Sequence, residues 1–179
     1  MEDHVLVQQF QQGKHDVFEI LVERYKKRLY AFAFKLVQNH HDAEDLSQET
    51  FLRAYTSLDQ FRGEGSFISW LFTITVNTYR SLKRKKSFKI VDMEVEEVMQ
   101  VPTKENDVTH NFSNELQALT KTAIEKLPPK QKLILILRTF EQLSYQEIAQ
   151  ITGISQESVK ANLSYARQNL RNQLQELMQ

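Results

Sequence analysis

Apolar positions recur every three or four residues along most of this chain, and no segment of useful length alternates with period two. Phe18, Leu21, Val22, Tyr25, Leu29, Phe32 and Leu36 line up on one face, which predicts a long amphipathic helix ending near Asn39. Asp16, three residues before Glu19, has the spacing of a capping pair at its start. Asp42 is placed to cap a second helix, on which Leu46, Thr50, Ala54 and Leu58 trace a face with Phe51 and Tyr55 beside it. After a break at 59–65, Ser66 caps a third helix with a stripe of Phe67, Trp70, Leu71, Ile74 and the 77/78 turn; Trp70 and Ile74 are assigned to the core.

The period fades over 88–112, where Pro102, Asn106, Asp107 and Asn111 fall; this stretch reads as a linker, with local helix expected near 92–99. It resumes with Leu116, Leu119, Ala123, Ile124 and Leu127 until Pro128-Pro129 ends one helix and opens the next, which carries Leu133, Ile134, Ile136 and Leu137. Ser144 and Glu147 form a capping box before a short helix that ends at Gly153, and Ser155 caps a last one. The expected fold class is all-α: two small helical domains, 1–87 and 113–179, joined by the linker 88–112.

Composition agrees. At 179 residues the chain holds one ordinary domain or two small ones. Four Gly and three Pro are too few for the many tight turns of an all-β protein. With no Cys, disulfides, thiolate metal sites and Cys nucleophiles are excluded. The longest apolar runs, 29–34 and 133–137, are far short of the about 20 residues that span a bilayer, so no membrane insertion is expected. The first residues show no secretory signal, and the expected location is cytoplasmic.

The 23 basic and 23 acidic residues cancel, but not locally. Residues 1–90 hold 14 basic against 11 acidic, 91–112 hold Lys104 alone against six acidic, and 113–179 hold eight against six. Two mildly basic blocks flank an acidic strip. Segregation of this kind bears on partners where the total does not.

Three constellations stand out. Residues 143–170 have helix-turn-helix spacing, with Ala149 small at the helix crossing, Gly153 in the turn and Val159 in the wedge. In that geometry the second helix enters the major groove, offering Gln156, Ser158, Lys160, Asn162, Tyr165 and Arg167. An ordinary helical hairpin would use the same Ala, Gly and Val merely to pack. Residues 61–86 interleave Phe61, Phe67, Trp70, Phe72 and Tyr79 with Arg62, Asn77, Arg80, Lys83 and Arg84, a pattern suited to unpaired nucleic acid. The glycine-containing loop there could receive an unstacked base, although each aromatic taken singly fits a core and the basic run fits a helix end. Asp42, Glu44, Asp45 and Glu49 crowd a first helical turn and its successor. No Cys or suitably spaced His completes a metal or catalytic site there, so a charged docking face is the functional reading.

These segments resemble a known family. Residues 42–55 (DAEDLSQETFLRAY) and 61–77 (FRGEGSFISWLFTITVN) look like region two of bacterial sigma factors, while 127–131 (LPPKQ) and 143–155 (LSYQEIAQITGIS) look like region four. Order, spacing and the short linker are similar to the extracytoplasmic-function group of the sigma-70 family. The resemblance implies a non-catalytic subunit of RNA polymerase that directs promoter recognition, melting and initiation, with no cofactor and no metal. Asp42, Glu44, Asp45, Gln48, Glu49 and Arg53 would dock on core polymerase, whose contacts are the largest-subunit clamp and the flap. Phe61, Arg62, Gly63, Ser66, Trp70, Asn77, Arg80, Lys83 and Arg84 would capture the melted minus-ten strand. Gln156, Ser158, Lys160, Asn162, Tyr165 and Arg167 would read the minus-thirty-five element. An anti-sigma protein is the further partner implied, and the acidic linker would suit a basic polymerase channel. Asn162 and Tyr165 depart from the basic residues that family members often carry there, which implies weaker or amide-based contacts. The alternative is a stand-alone helix-turn-helix regulator, which leaves the acidic helix and the aromatic–basic stretch unused; a nucleic-acid enzyme lacks a catalytic constellation.

Overall fold

In the computed structural model the backbone is described for residues 1–91 and 111–177, and side chains for 1–84 and 118–176. Every regular element among them is helical: α1 (Asp3–Gln11), α2 (Phe18–Val37), α3 (His40–Ser57), α4 (Phe67–Val91), α5 (Asn111–Glu125), α6 (Pro129–Thr139), α7 (Tyr145–Thr152) and α8 (Gln156–Leu177). Single turns of 3₁₀ helix at His15–Val17 and Leu58–Gln60 lead into α2 and out of α3. The all-α expectation holds. The helix expected near 92–99 and the acidic strip from 92 to 110 lie outside the described residues.

α1 to α4 form the first bundle. α2 buries Phe18, Leu21, Leu29, Phe32, Ala33 and Leu36 against α3 and α4. Phe32 and Phe72 meet at its centre with ring centroids 4.4 Å apart. Neither α1 nor its packing was legible beforehand: Leu6, Val7 and Phe10 are buried, the last against Phe18 and Tyr55. Asp3 ties α1 to α2 by accepting hydrogen bonds from Arg24 and Tyr25. Burial, then the Asp3 bond, raises the Tyr25 hydroxyl to about 12.

Two caps differ from expectation. Asp16 lies in the 3₁₀ turn, and α2 starts without a side-chain cap. Asn39 caps α3, its Oδ1 accepting from the Asp42 N–H at 3.0 Å, so Asp42 sits inside the first turn and complements the helix dipole instead. Trp70 and Ile74 are half-buried rather than core; Phe72 and Val76 take the centre, with Leu71. Thr75 and Thr78 are buried on the same helix by returning their hydroxyls to the Leu71 and Ile74 carbonyls at 2.8 Å.

α6, α7 and α8 close the second unit around Ile134, Leu137, Ile148, Val159 and Leu163. All five consecutive residues Leu133 to Leu137 are buried, more than one stripe. α6 has α8 on one side and α2 of the first bundle on the other, so both of its apolar faces are covered.

Phe72→Ala deletes the most central ring of the first bundle. We expect a loss of about 3–5 kcal/mol in denaturant unfolding followed by circular dichroism. A loss under about 1 kcal/mol would show that the helices collapse to fill the space.

Candidate functional site

The buried stripe of α3 (Ala43, Leu46, Ser47, Thr50 and Ala54) fixes which residues face outward. At about 100° per residue, Asp45, Gln48 and Leu52 lie diametrically opposite that stripe. Glu49 stands half-exposed beside them, and its Oε1 accepts from Arg53 Nε at 2.7 Å. Asp42 and Arg53 fall on one flank and Glu44 on the other, so the six residues expected to dock a partner cover a broad face. Leu52, missed in the sequence, stands 65% exposed in the middle of that face. The signal was present: Leu52 falls outside the apolar period of its own helix. His41 adds a 3.5 Å contact to Asp45.

The loop 61–66 joins α3 to α4. Gly63 and Gly65 hold φ of +73° and +94°, and beyond their immediate chain neighbours no atom comes within 4 Å of where a Cβ would stand. L side chains resist such backbone, so the loop is open and bare where a flat ligand could lie against it. Phe61 packs on Trp70 at 5.0 Å between centroids, which makes both rings supports of the loop rather than free platforms. Arg62 and Ser66 are exposed. Ser66 caps α4, its Oγ accepting from the Ser69 N–H at 3.2 Å. Along α4, Trp70, Asn77, Arg80 and Arg84 project to one side, and Lys83 stands apart with its ammonium 5.1 Å from the Tyr79 ring.

In the second unit α7 and α8 cross as a helix-turn-helix. Gly153 ends α7 in the left-handed region at φ +73°, and Ile154 N–H returns to the Ala149 carbonyl at 3.2 Å. Val159 is fully buried in the wedge. The six residues expected to read DNA do not share one face. Val159, Leu163 and Ala166 point inward, which puts Gln156, Lys160 and Arg167 on one flank of α8 and Ser158, Asn162 and Tyr165 on the other. Glu157, Ala161, Ser164 and Gln168 occupy the exposed strip between them. Asn162 is half-buried, its Nδ2 donating to the Ser158 carbonyl at 2.7 Å, whereas Tyr165 is 59% exposed.

The two units touch through the apolar face of α6 on α2 and through polar contacts. Arg28 Nε donates to Glu141 Oε2 at 3.0 Å, and Glu141 is buried. Arg80 Nη2 donates to the Thr152 carbonyl at 3.1 Å, and Ser69 Oγ approaches Glu147 at 3.5 Å. Between the units a cleft of about 440 Å³ is floored by Leu36, Leu46, Leu82 and Leu133 and rimmed by Asp45, Lys83 and Lys132. Burial and the neighbouring Lys83 lower the Lys132 ammonium below the usual lysine range, with Glu125 opposing them. Among the described residues no group of three His, Cys, Asp or Glu could hold a metal ion, and no helix is long and apolar enough to cross a membrane.

Comparison with known proteins is decisive. Residues 21–88 match the family model for sigma-70 region 2, and 118–170 match that for sigma-70 region 4. The sigma-E factor of Haemophilus influenzae, an ECF RNA polymerase sigma factor, is 32% identical over 99% of this chain and 98% of its own. The chain belongs to the extracytoplasmic-function group of the sigma-70 family. The ECF sigma factor SigW of Bacillus subtilis is 31% identical over 96% of each chain. Among solved structures, the sigma factor RpoE of Bartonella quintana, bound to the anti-sigma factor NepR, has a TM-score of 0.70 at 28% identity, covering 88% of this chain and 96% of its own. CnrH, bound to the cytosolic domain of CnrY, also scores 0.70, at 25% identity and 97% coverage of each.

As a member of this sigma-factor family, the chain is an alternative sigma factor that directs promoter-specific transcription. The region 2 match spans α2, α3, the loop and most of α4, and the region 4 match spans the helix-turn-helix. α1 lies ahead of the first match.

Glu147 links the helix-turn-helix to pH. The Ser144 N–H and hydroxyl both donate to its Oε2 at 2.8 Å, holding the carboxyl below its ordinary value of 4.5. A lowered native pKa means that the cap contributes fully above about pH 4.5 and is lost as pH falls through the native value. The Ser144 amide resonance should therefore titrate below pH 4.5, and Glu147→Gln should abolish that titration. Titration above 4.5 would contradict the assignment.

Proposed function

We propose that this sigma factor divides its work among three surfaces. The α3 face around Asp45, Gln48, Glu49 and Leu52, flanked by Asp42, Glu44 and Arg53, docks on the clamp of the polymerase largest subunit. The loop 61–66 and the side of α4 bearing Trp70, Asn77, Arg80 and Arg84, with Lys83 nearby, hold the unpaired minus-ten strand. The exposed strip of α8, with Lys160 and Arg167 on one flank and Tyr165 on the other, enters the duplex at the minus-thirty-five element, its unit resting on the polymerase flap. The domains are 1–87 and 113–179, joined by the acidic linker. The protein works in the cytoplasm, makes and breaks no covalent bonds, and is bound by an anti-sigma protein, as RpoE is in its complex with NepR.

One observation carries the reading: a single chain exposes an acidic face with an apolar centre, an open glycine loop beside basic residues, and a helix-turn-helix. A stand-alone regulator would use only the last. Capturing a strand gives melting its direction. Extruding a base costs about a few kcal/mol, and stacking or pocket contacts return roughly 1–3 kcal/mol per base, so a few contacts bias the duplex open without ATP. Arg80 must exchange the Thr152 carbonyl for DNA to take part, so the loaded form parts α4 from α7.

Run-off transcription with core polymerase on genomic fragments tests the whole; no specific initiation in the absence of any inhibitor would overturn it. Asp45→Arg and Leu52→Ala should each weaken core binding about tenfold in a fluorescence titration while changing unfolding by less than about 0.5 kcal/mol. Unchanged affinity in both would remove this face from the interface. Lys160→Ala should lower the salt dependence of promoter binding by the holoenzyme by about one unit of slope if its ammonium meets phosphate. An unaltered slope would exclude that contact.

A further inference from the structure

The loop 61–66 has unequal anchors. Its exit is fixed by its own chain, through the Ser66 cap on α4. Its entry is held locally by the Phe61 N–H on the Leu58 carbonyl and by the Phe61 ring on Trp70, and in addition by a residue some fifty positions earlier. Gln11 Nε2 donates to the Leu58 carbonyl at 3.1 Å and to the Phe61 carbonyl at 3.0 Å, with the Asp59 carbonyl at 3.5 Å. An amide NH₂ has two hydrogens, and the two short bonds use both. The Leu58 carbonyl closes the 3₁₀ turn, where it also accepts the Phe61 N–H at 3.1 Å, and the Phe61 carbonyl opens the loop.

Gln11 is itself held firmly. It is the last residue of α1, and α1 stops just beyond it because Gly13 turns left-handed at φ +93°. Lys14 N–H then returns to the Gln9 carbonyl at 3.0 Å and Gly13 N–H to the Phe10 carbonyl at 2.9 Å, which closes the helix end. Immediately before Gln11, Phe10 is buried with its ring edge-on to His15 at 4.6 Å and Tyr55 at 5.3 Å. The amide is thus presented by a clamped helix end to the start of a loop that two glycines leave free.

We infer that Gln11 is a positioning residue for minus-ten recognition: its side-chain amide sets the entry of the strand-capturing loop, and α1 serves as the strut that holds it. The inference rests on the reading of 61–66 as that loop. Gln11 touches no DNA. It lowers the conformational freedom the loop must lose when a base enters, and it fixes the direction in which Arg62 and the bare backbone at Gly63 face the strand. The chemistry required is donation alone, so the side chain is replaceable by another donor of similar reach and not by an acceptor of the same shape.

The test uses holoenzyme assembled from the full-length chain and core polymerase, on a promoter recovered by run-off transcription. Two readouts are taken: permanganate reactivity of unpaired thymines, and affinity for single-stranded minus-ten oligonucleotides that differ by one base. Gln11→Met and Gln11→Glu should lower both open-complex yield and oligonucleotide affinity by about three- to tenfold, the range that one or two neutral hydrogen bonds span. They should also narrow the preference between bases at the captured position, with core affinity unchanged within about twofold. Gln11→Lys keeps a donor and should retain the preference. A purely structural role would lower the melting temperature and core affinity together and leave base preference intact; that result overturns the inference, as does Gln11→Lys failing as badly as Gln11→Glu. Arg62→Ala combined with Glu64→Ala separates the two levels. If this loop variant loses base preference while Gln11→Glu keeps it, only the positioning role falls. If neither variant changes it, the loop is not the strand-capturing element.

Discussion

α3 and α8 each have one apolar stripe to bury, and that burial fixes the rotation of each about its own axis. Everything functional follows by subtraction. On α3 the buried run from Ala43 to Ala54 forces Asp45, Gln48 and Leu52 outward. On α8 the inward set of Val159, Leu163 and Ala166 decides that Ala161 and Ser164 lead and that Lys160 and Tyr165 flank them. A side chain of such a helix cannot be re-aimed without lifting several residues out of the core, at roughly 1.5–3 kcal/mol for each large apolar group. Surface identities are free to vary while surface directions are not.

The same economy governs charge. The formal total is zero, yet the acidic face of α3, the basic end of α4 and the acidic strip beyond it are separate in sequence. Contacts between the two units are correspondingly polar: Arg28 reaches the buried Glu141, and Arg80 reaches a backbone carbonyl at the end of α7. Beside these pairings the buried apolar residues of the two units run together in one continuous cluster, with α2 against α6 and α4 against α7.

How much was legible in the sequence depended on whether a feature was periodic. The long helices and the helix-turn-helix were, because Leu21 to Leu36 and Ile148 to Leu163 repeat at helical spacing between recognisable caps. α1 was not: nine residues with three buried apolar positions and no capping side chain give a weak pattern. Cap identity was ambiguous at α3 because Asn39 and Asp42 are both competent, and the chain geometry chose the earlier one. On α8 residue type alone does not give direction: the angle between Lys160 and Asn162 follows from the burial of Val159, Leu163 and Ala166. Leu52 was visible only as a break in a period. Contacts such as Gln11 to Leu58 have no sequence signature, since they depend on where the end of one helix meets the end of another.

A loop that captures an extruded base, the role we propose for 61–66, faces two opposed demands. Its backbone must come close to the base, which favours glycine at left-handed positions such as Gly63 and Gly65. It must also lose little freedom on capture, and each ordered residue costs about 1–2 kcal/mol of backbone entropy. For six residues that cost is comparable to the whole gain from a few stacked bases. Fixing both ends in advance resolves the conflict: Ser66 secures the exit within its own helix, and the long-range tie from α1 secures the entry. The glycines then move within a frame whose ordering was completed when the bundle folded. Strand capture can favour melting because that part of the entropy is already lost in the free protein.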